Sequence, residues 1–290
     1  MTFGGRPSPP PAPARTGTMP DAMTDPREPE PELEVLEPEF IQPDPDESPP
    51  PDLASLIGDI TPWGTLLLLL SWALVFAVLA FRRETGNTDA LFAWGASAPH
   101  LALRDTAWRL LASTFLHAGL AHVFFNALSM AIFGPAVERM FTRPGFAVIY
   151  AAGGATASLA SLTWRGAQHP AGLSISVGAS GAIFALGGAM LACAWRMRRR
   201  LAVGRARAMA AALLFLLGQS FSAGFTRNAT DNAAHAAGLV AGVVLGAVVP
   251  LHPRLGGPAP GWLIRALGAI ALLALVISLA LGVRGGILYG

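Results

Sequence analysis

From Trp63 onward the chain is a succession of apolar runs almost free of acids, and no other feature constrains its fold as much. Of 18 acidic residues, 13 lie before residue 60; only Glu84, Asp89, Asp105, Glu138 and Asp231 follow. An unpaired carboxylate is costly in hydrocarbon, so a long stretch cleared of them suits a bilayer. With 53% hydrophobic and 13% charged residues, and a mean hydropathy of +0.50, the composition excludes an ordinary soluble domain. The runs read as spans at Trp63–Phe81, Leu120–Phe141, Gly145–Trp164, Ser180–Trp195, Ala208–Phe221, Ala233–Val249 and Trp262–Gly282. A helix crosses with about 20 residues, which the first, second, third and seventh supply. The other three are short and carry Gly, Ser, Asn, Asp or His near their ends. Such spans belong inside a bundle, beside protein or a water cavity. The expected fold class is an all-α polytopic membrane protein: six helices, a seventh C-terminal transmembrane helix, and a leading tail.

That tail, residues 1–58, holds fifteen prolines within its first 51 residues, mixed with Glu and Asp. Such a segment cannot bury enough apolar surface to offset its ordering entropy, so a disordered cytoplasmic extension is expected. The first 30 residues show neither the apolar core of a signal peptide nor the Arg-rich, acid-poor character of a transit peptide. Retention of the N-terminus is expected. Residues 59–250 then form the core, and 251–290 the additional helix.

Every one of the 20 basic residues is arginine. The densest group is "RMRRRLAVGRAR", with Arg196, Arg198, Arg199, Arg200, Arg205 and Arg207 between the fourth and fifth spans. Placing it in the cytoplasm puts the N-terminus inside and the C-terminus outside. Arg82, Arg83, Arg104 and Arg109 then fall outside and oppose that orientation without reversing it. Because the arginines sit in loops between apolar segments, the high pI does not imply nucleic acid. The connection from Arg82 to Gly119 is long enough to have structure of its own. Its Trp94 and Trp108 are expected in the membrane interface, where indoles are favoured. Cys193, the only cysteine, excludes intrachain disulfides and is expected to pack.

Polar residues recur at membrane depth in three places. In "HVFFN", His122 and Asn126 are four apart and share a helix face. In "GASG", Ser180 lies between Gly178 and Gly181 at the start of the fourth span. In "AHAAGLVAG", His235 comes early in the sixth. The spacing Gly238 and Gly242, with Gly187 and Gly188 on the fourth span, would let two backbones approach closely. Ser180 and His235 could then meet.

A serine hydroxyl needs a neighbouring base to become a nucleophile, and neutral imidazole suits that task. The oxyanion that follows needs preorganised donors. The Ser180 amide at a helix N-terminus, His122 and Asn126 could supply them. Each element alone has a plainer reading: a chance GxSG among 32 glycines, a histidine bonding its neighbour, His122 with Asn126 as interhelical glue. Together, at the same end of three spans, they are hard to produce by chance.

"WRLLASTFLHAGLAHVFFN", "GASGAIFALGGAML" and "AHAAGLVAG" together resemble the rhomboid intramembrane serine proteases, over about residues 60 to 250. The resemblance implies a six-helix protease core in which Ser180 and His235 are a catalytic dyad. It also implies an oxyanion hole of His122, Asn126 and the Ser180 amide. Trp108–Arg109 matches the family's Trp-Arg pair, Glu138–Arg139 a structural pair, and His117 a supporting histidine. Gly178, Gly181 and Asn232 would line or shape the cavity. Phe184 stands where many relatives carry Tyr, so stacking on His235 would survive without a hydroxyl. Asp231 could be read as a triad acid, but the family works with a dyad, so a rim or capping role is expected.

The implied substrates are single-span membrane proteins, cut near the outer face after a small residue. No metal or cofactor is implied, and the expected location is a bacterial inner membrane. Two rivals remain. A transporter using His122, Asn126 and His235 should show related halves or paired charges, and neither is visible. An inactive rhomboid-like protein would capture transmembrane helices without cutting them.

Overall fold

A computed structural model describes residues 60–99, 106–168, 174–199, 204, 207–215 and 231–290. The expected tail at 1–58 and the end of the fifth expected span lie outside the described residues. Helix α1 is Trp63–Phe81. Within the long connection come α2, Thr88–Ala93, and α3, Arg109–Ala112, which runs on into the 3-10 turn Ser113–Phe115. Then follow α4, Leu120–Gln168, and α5, Ser180–Arg196. Residues 207–215 form α6, Asn232–Val248 form α7, and Trp262–Tyr289 form α8. The architecture is all-α, and α1, α4 and α8 are long and apolar enough to cross a membrane.

Leucine spacing decides how α1 sits. Leu68, Trp72, Val75 and Leu79 recur at three and four residues and are buried on one face. Leu66, Leu67, Leu70 and Leu74 stay exposed on the others, as befits a helix with lipid around it. The first amides of α1 lack intrahelical partners. The buried carboxyl of Glu138 accepts from the Gly64 amide (2.9 Å), the Thr65 amide (3.0 Å) and the Thr65 hydroxyl (3.1 Å). Next to it, Arg139 Nε donates to the Ile60 carbonyl at 3.2 Å. The Glu138–Arg139 pair fastens the start of the first span.

The second and third expected spans are two arms of α4. Its 49 residues would reach about 74 Å if straight, far beyond a hydrocarbon core of about 30 Å. Thr142, at φ 65° and ψ 165°, breaks the helix, in a region that β-branched residues rarely enter. Contacts show that the chain reverses there. A Cβ on Gly178 would lie 3.7 Å from Asn126 Nδ2, on the first arm. The Gly178 amide donates to the Ser113 carbonyl at 2.9 Å, and Ser113 Oγ lies 3.5 Å from Ser158 Oγ, on the second arm. Both arms therefore end beside the start of α5.

Helix α5 is the interior element that its short length implied, with every residue from Gly181 to Met190 buried. Against it packs the stripe Ala234, Gly238, Gly242 and Gly246 of α7, each four residues on from the last. A Cβ on Gly242 would lie 2.6 Å from Ala185 Cα, and one on Gly246 2.7 Å from Ala189 Cα. This is backbone-to-backbone packing of the kind small residues permit in lipid. Of the expected pairing, Gly188 does meet Gly242, a Cβ on it lying 3.1 Å from the Gly242 carbonyl carbon, while Gly238 packs on Gly181 and Gly242 also on Ala185. At the far end, Arg196 Nη1 donates to the carbonyls of Gly246 (2.8 Å) and Val249 (2.7 Å), closing the pair of helices.

Helix α8 runs seven residues past its expected end at Gly282, and its glycines dock it on the rest. A Cβ on Gly268 would lie 2.7 Å from Pro144 Cα, and one on Gly282 2.5 Å from the Trp94 carbonyl. Gly286 lies against the Trp94 indole itself. Trp94 is therefore buried, with Nε1 donating to Glu84 at 3.0 Å, rather than lying in the membrane interface.

The glycine seam makes a direct test. Gly242→Ala should lower the unfolding free energy of the detergent-purified chain by about 1–3 kcal/mol, the usual cost of overpacking, read as a lower thermal midpoint. Gly204→Ala, where a Cβ would meet nothing within 4 Å, should not lower the midpoint.

Candidate functional site

Ser180 opens α5 directly after a turn that only glycine serves well. Gly178 has φ +122°, and a Cβ there would lie 2.6 Å from His122 Nε2. Conformation and space both require the missing side chain. His235 enters from the first turn of α7, its Nε2 2.8 Å from Ser180 Oγ. The Phe184 ring, one turn after Ser180, stacks on the imidazole at 4.3 Å and an interplanar angle of 10°. Nδ1 of His235 is buried with no partner among the described residues. With the ring proton on Nδ1, Nε2 is free to accept from the Ser180 hydroxyl.

The opposite wall comes from the first arm of α4. His122 and Asn126 lie one helical turn apart, both beside Gly178. Asn126 is 6% exposed, and its Nδ2 has no partner among the described residues. A buried amide donor left unsatisfied is expensive, which makes it notable that this one lies beside the serine's turn. The His122 ring meets His117 edge-on at 5.1 Å, and His117, fully buried, packs against Trp72 at 5.4 Å. His117 thus backs His122 rather than reaching Ser180. The Ser180 hydroxyl, the His235 ring, and the His122 and Asn126 side chains beside Gly178 thus gather around the start of α5.

The remaining expected site residues divide. Gly181 lets α5 close on Ala157 and Ala234. Trp108 and Arg109 do not reach the serine. Arg109 Nη1 donates to the carbonyls of Phe92 (2.6 Å) and Ala96 (3.0 Å), and the guanidinium lies over the Phe92 and Trp108 rings. These two residues fold the long connection, and their link to the site is indirect. Ser97 Oγ donates to the Arg109 carbonyl at 2.9 Å, and the Ser97 backbone pairs with Ser176, four residues before Ser180. Asn232 is exposed on the first turn of α7. Cys193 is buried in the other half of α5, its Sγ 3.8 Å from the Met197 sulfur.

Asp231 caps α7, accepting from the Ala234 amide at 3.1 Å. Its other oxygen accepts from Ser161 Oγ, from Arg165 Nε at 3.0 Å and from Ser176 Oγ at 3.3 Å. Burial alone would raise this carboxyl's pKa. The bonds from Ser161 and the Ala234 amide, and the Arg165 charge, outweigh burial and hold it below its ordinary value. Sequence reasoning missed Ser161, Arg165 and Ser176. The one available signal was that Ser161 and Arg165 are four apart at the polar end of an apolar span.

A family model described as "Rhomboid domain" matches residues 104–251, just over half of the chain. Rhomboid protease GluP of Bacillus subtilis (strain 168) is 38% identical over 146 residues, 50% of this chain and 27% of that protein. Rhomboid-like protease 1 of Toxoplasma gondii is 36% identical over 116 residues, 39% of this chain and 38% of that protein. RHOMBOID-like protein 1 of Arabidopsis thaliana is 42% identical over 84 residues, 29% of this chain and 20% of that protein. The chain thus spans well under two thirds of each of these relatives. With the family model matched from within the long connection to just beyond α7, this integral membrane chain belongs to the rhomboid family.

Proposed function

We propose that the chain is an intramembrane serine endopeptidase that cuts single-span membrane proteins. The observation that carries this reading is the 2.8 Å contact between His235 Nε2 and Ser180 Oγ, close to an Asn126 amide that has no partner among the described residues. As Ser180 Oγ attacks the scissile carbonyl carbon, His235 Nε2 takes its proton. The carbonyl oxygen gains negative charge and is held by the Ser180 amide, His122 and Asn126 Nδ2. The tetrahedral species collapses, and His235 returns the proton to the leaving amine, leaving an acyl ester on Ser180. Water then attacks the ester with His235 again as base, and the serine is restored. Phe184 keeps the imidazole plane fixed by stacking. Asp231 serves the start of α7 and not the His235 ring, so two side chains carry the proton transfers.

The reading extends to topology. Ser180 opens α5 and Arg196 closes it, about 24 Å away along the axis. With the Arg196–Arg207 group in the cytoplasm, the dyad lies toward the outer face and substrates are cut there. The N-terminus is then cytoplasmic, in what we take to be a bacterial inner membrane. Residues 1–58 act as a solvated tail, 59–250 as the protease core, and 251–290 as a buttress for the first connection.

Ser180→Ala and His235→Ala should each abolish cleavage of a reconstituted single-span substrate while inserting at normal levels. The double variant should be no slower, because the two side chains act as one unit. Substantial turnover by purified Ser180→Ala would overturn the assignment. Wild-type chain that binds the substrate without cutting it would mark a helix-capturing member instead.

The oxyanion hole makes a graded claim. Asn126→Ala should slow single-turnover cleavage about 10²–10³-fold with binding nearly unchanged, since the contact strengthens only in the transition state. Asn126→Asp should be slower still, its carboxylate repelling the developing charge. A wild-type rate in Asn126→Ala would reduce that residue to interhelical glue.

A further inference from the structure

The proton transfers proposed above use two side chains, yet the most heavily bonded polar group near them is a third. One oxygen of Asp231 gathers Ser161 and Arg165 from the second arm of α4 and Ser176 from the segment leading to Ser180. The other caps the helix that carries His235. Arg165 also reaches that leading segment directly, its Nη1 donating to Ser174 at 3.1 Å. Three elements thus meet at one carboxylate.

Its place in the chain gives the convergence a consequence. Asp231 stands four residues before His235, and Ser176 four residues before Ser180. The backbone repeats the first spacing, since the His235 amide donates to the Asp231 carbonyl at 3.0 Å. The Asp231–Ser176 bond therefore lies one step outside the Ser180–His235 contact and joins the same two arms. The leading segment is fixed from its other side too, where Ser176 exchanges backbone bonds with Ser97 at 2.8 and 3.1 Å and Gly178 bonds Ser113. Along α7 the glycine stripe fixes distance and rotation, but nothing in that stripe fixes the turn before Ser180.

We propose that Asp231 is a positioning residue for proton transfer: held by Ser161, Arg165 and Ser176, it sets the register between the arm carrying His235 and the arm carrying Ser180. This rests on the serine-protease reading above. Asp231 does not touch the reacting atoms; it acts through the geometry of those that do. A misplacement of about 1 Å can cost 10²-fold in rate, so a modest loosening is enough to register.

Asp231→Asn is the informative variant, because Asn caps a helix as well as Asp does, while the single oxygen that accepts from Ser161, Arg165 and Ser176 becomes an amide nitrogen and the ion pair is lost. In full-length chain purified in detergent, three quantities are compared with wild type. They are the rate of Ser180 acylation by a fluorophosphonate, kcat and KM on a single-span substrate, and the thermal midpoint. Acylation and kcat should both fall about 10- to 100-fold at temperatures well below the variant's own midpoint, with KM within about twofold. Ser161→Ala should fall in the same direction, and its effect should not add to that of Asp231→Asn, since the two share one bond. Wild-type acylation and kcat in Asp231→Asn would overturn the proposal. A loss that merely follows a lowered midpoint would do so too, since that is stability and not positioning. Should wild-type chain fail to label at Ser180, the serine-protease reading falls and takes this inference with it. Labelling at Ser180 that is equal in both proteins removes this inference alone.

Discussion

Backbone contact between α5 and α7 is the interaction on which the rest of the structure depends. In hydrocarbon no hydrophobic force drives helices together, so close packing must hold them. Gly238, Gly242 and Gly246 present a bare stripe to Gly181, Ala185 and Ala189, so close that a single Cβ would collide with the opposing main chain. That proximity fixes where the first turn of α7 falls, and the first turn of α7 is where His235 stands. A serine and a histidine 55 residues apart in sequence meet at 2.8 Å because two helices carry almost no side chain between them.

Polar groups take over where the apolar packing ends. Glu138 satisfies the first amides of α1, Arg196 satisfies the last carbonyls of α7, and Asp231 gathers the donors around its start. Each sits at a helix terminus, where backbone groups lack intrahelical partners and lipid supplies none. Among the described residues, Glu138, Arg196 and Asp231 serve the ends of α1 and α7 in this way. The site exploits the same rule in reverse. The Asn126 amide, one buried polar group that the described residues leave unsatisfied, lies beside Gly178 in the turn before Ser180.

How much could be read from the sequence follows from the same physics. Apolar run length fixes span ends well, and Trp63–Phe81 agrees residue for residue with α1. The break between the second and third spans shows in the bounds Leu120–Phe141 and Gly145–Trp164, but the one-residue turn at Thr142 does not, because its backbone angles have no sequence signature in a threonine. Ser180, His235, His122 and Asn126 stood out because polar residues are conspicuous in an apolar run. Small-residue spacing pairs Gly242 with Gly188, which do meet, but helix rotation is invisible in sequence, so the contacts of Gly238 with Gly181 and of Gly242 with Ala185 are not legible. Trp94 reads as interfacial because nothing in its own neighbourhood announces the glycine face of α8, nearly 190 residues downstream. The ligands of Asp231 escaped for a similar reason: Arg165 and Ser161 lie 66 and 70 residues away, on another span.

The central claim is that the glycine seam delivers Ser180 to His235 as an activated nucleophile. Fluorophosphonate treatment of the full-length chain, with the adduct located by peptide mass spectrometry, tests it most directly. One adduct is expected, on Ser180. It should vanish in His235→Ala and weaken strongly in Gly242→Val, although both variants still insert. An adduct on another serine, or equal labelling of Ser180 without His235, would contradict the account.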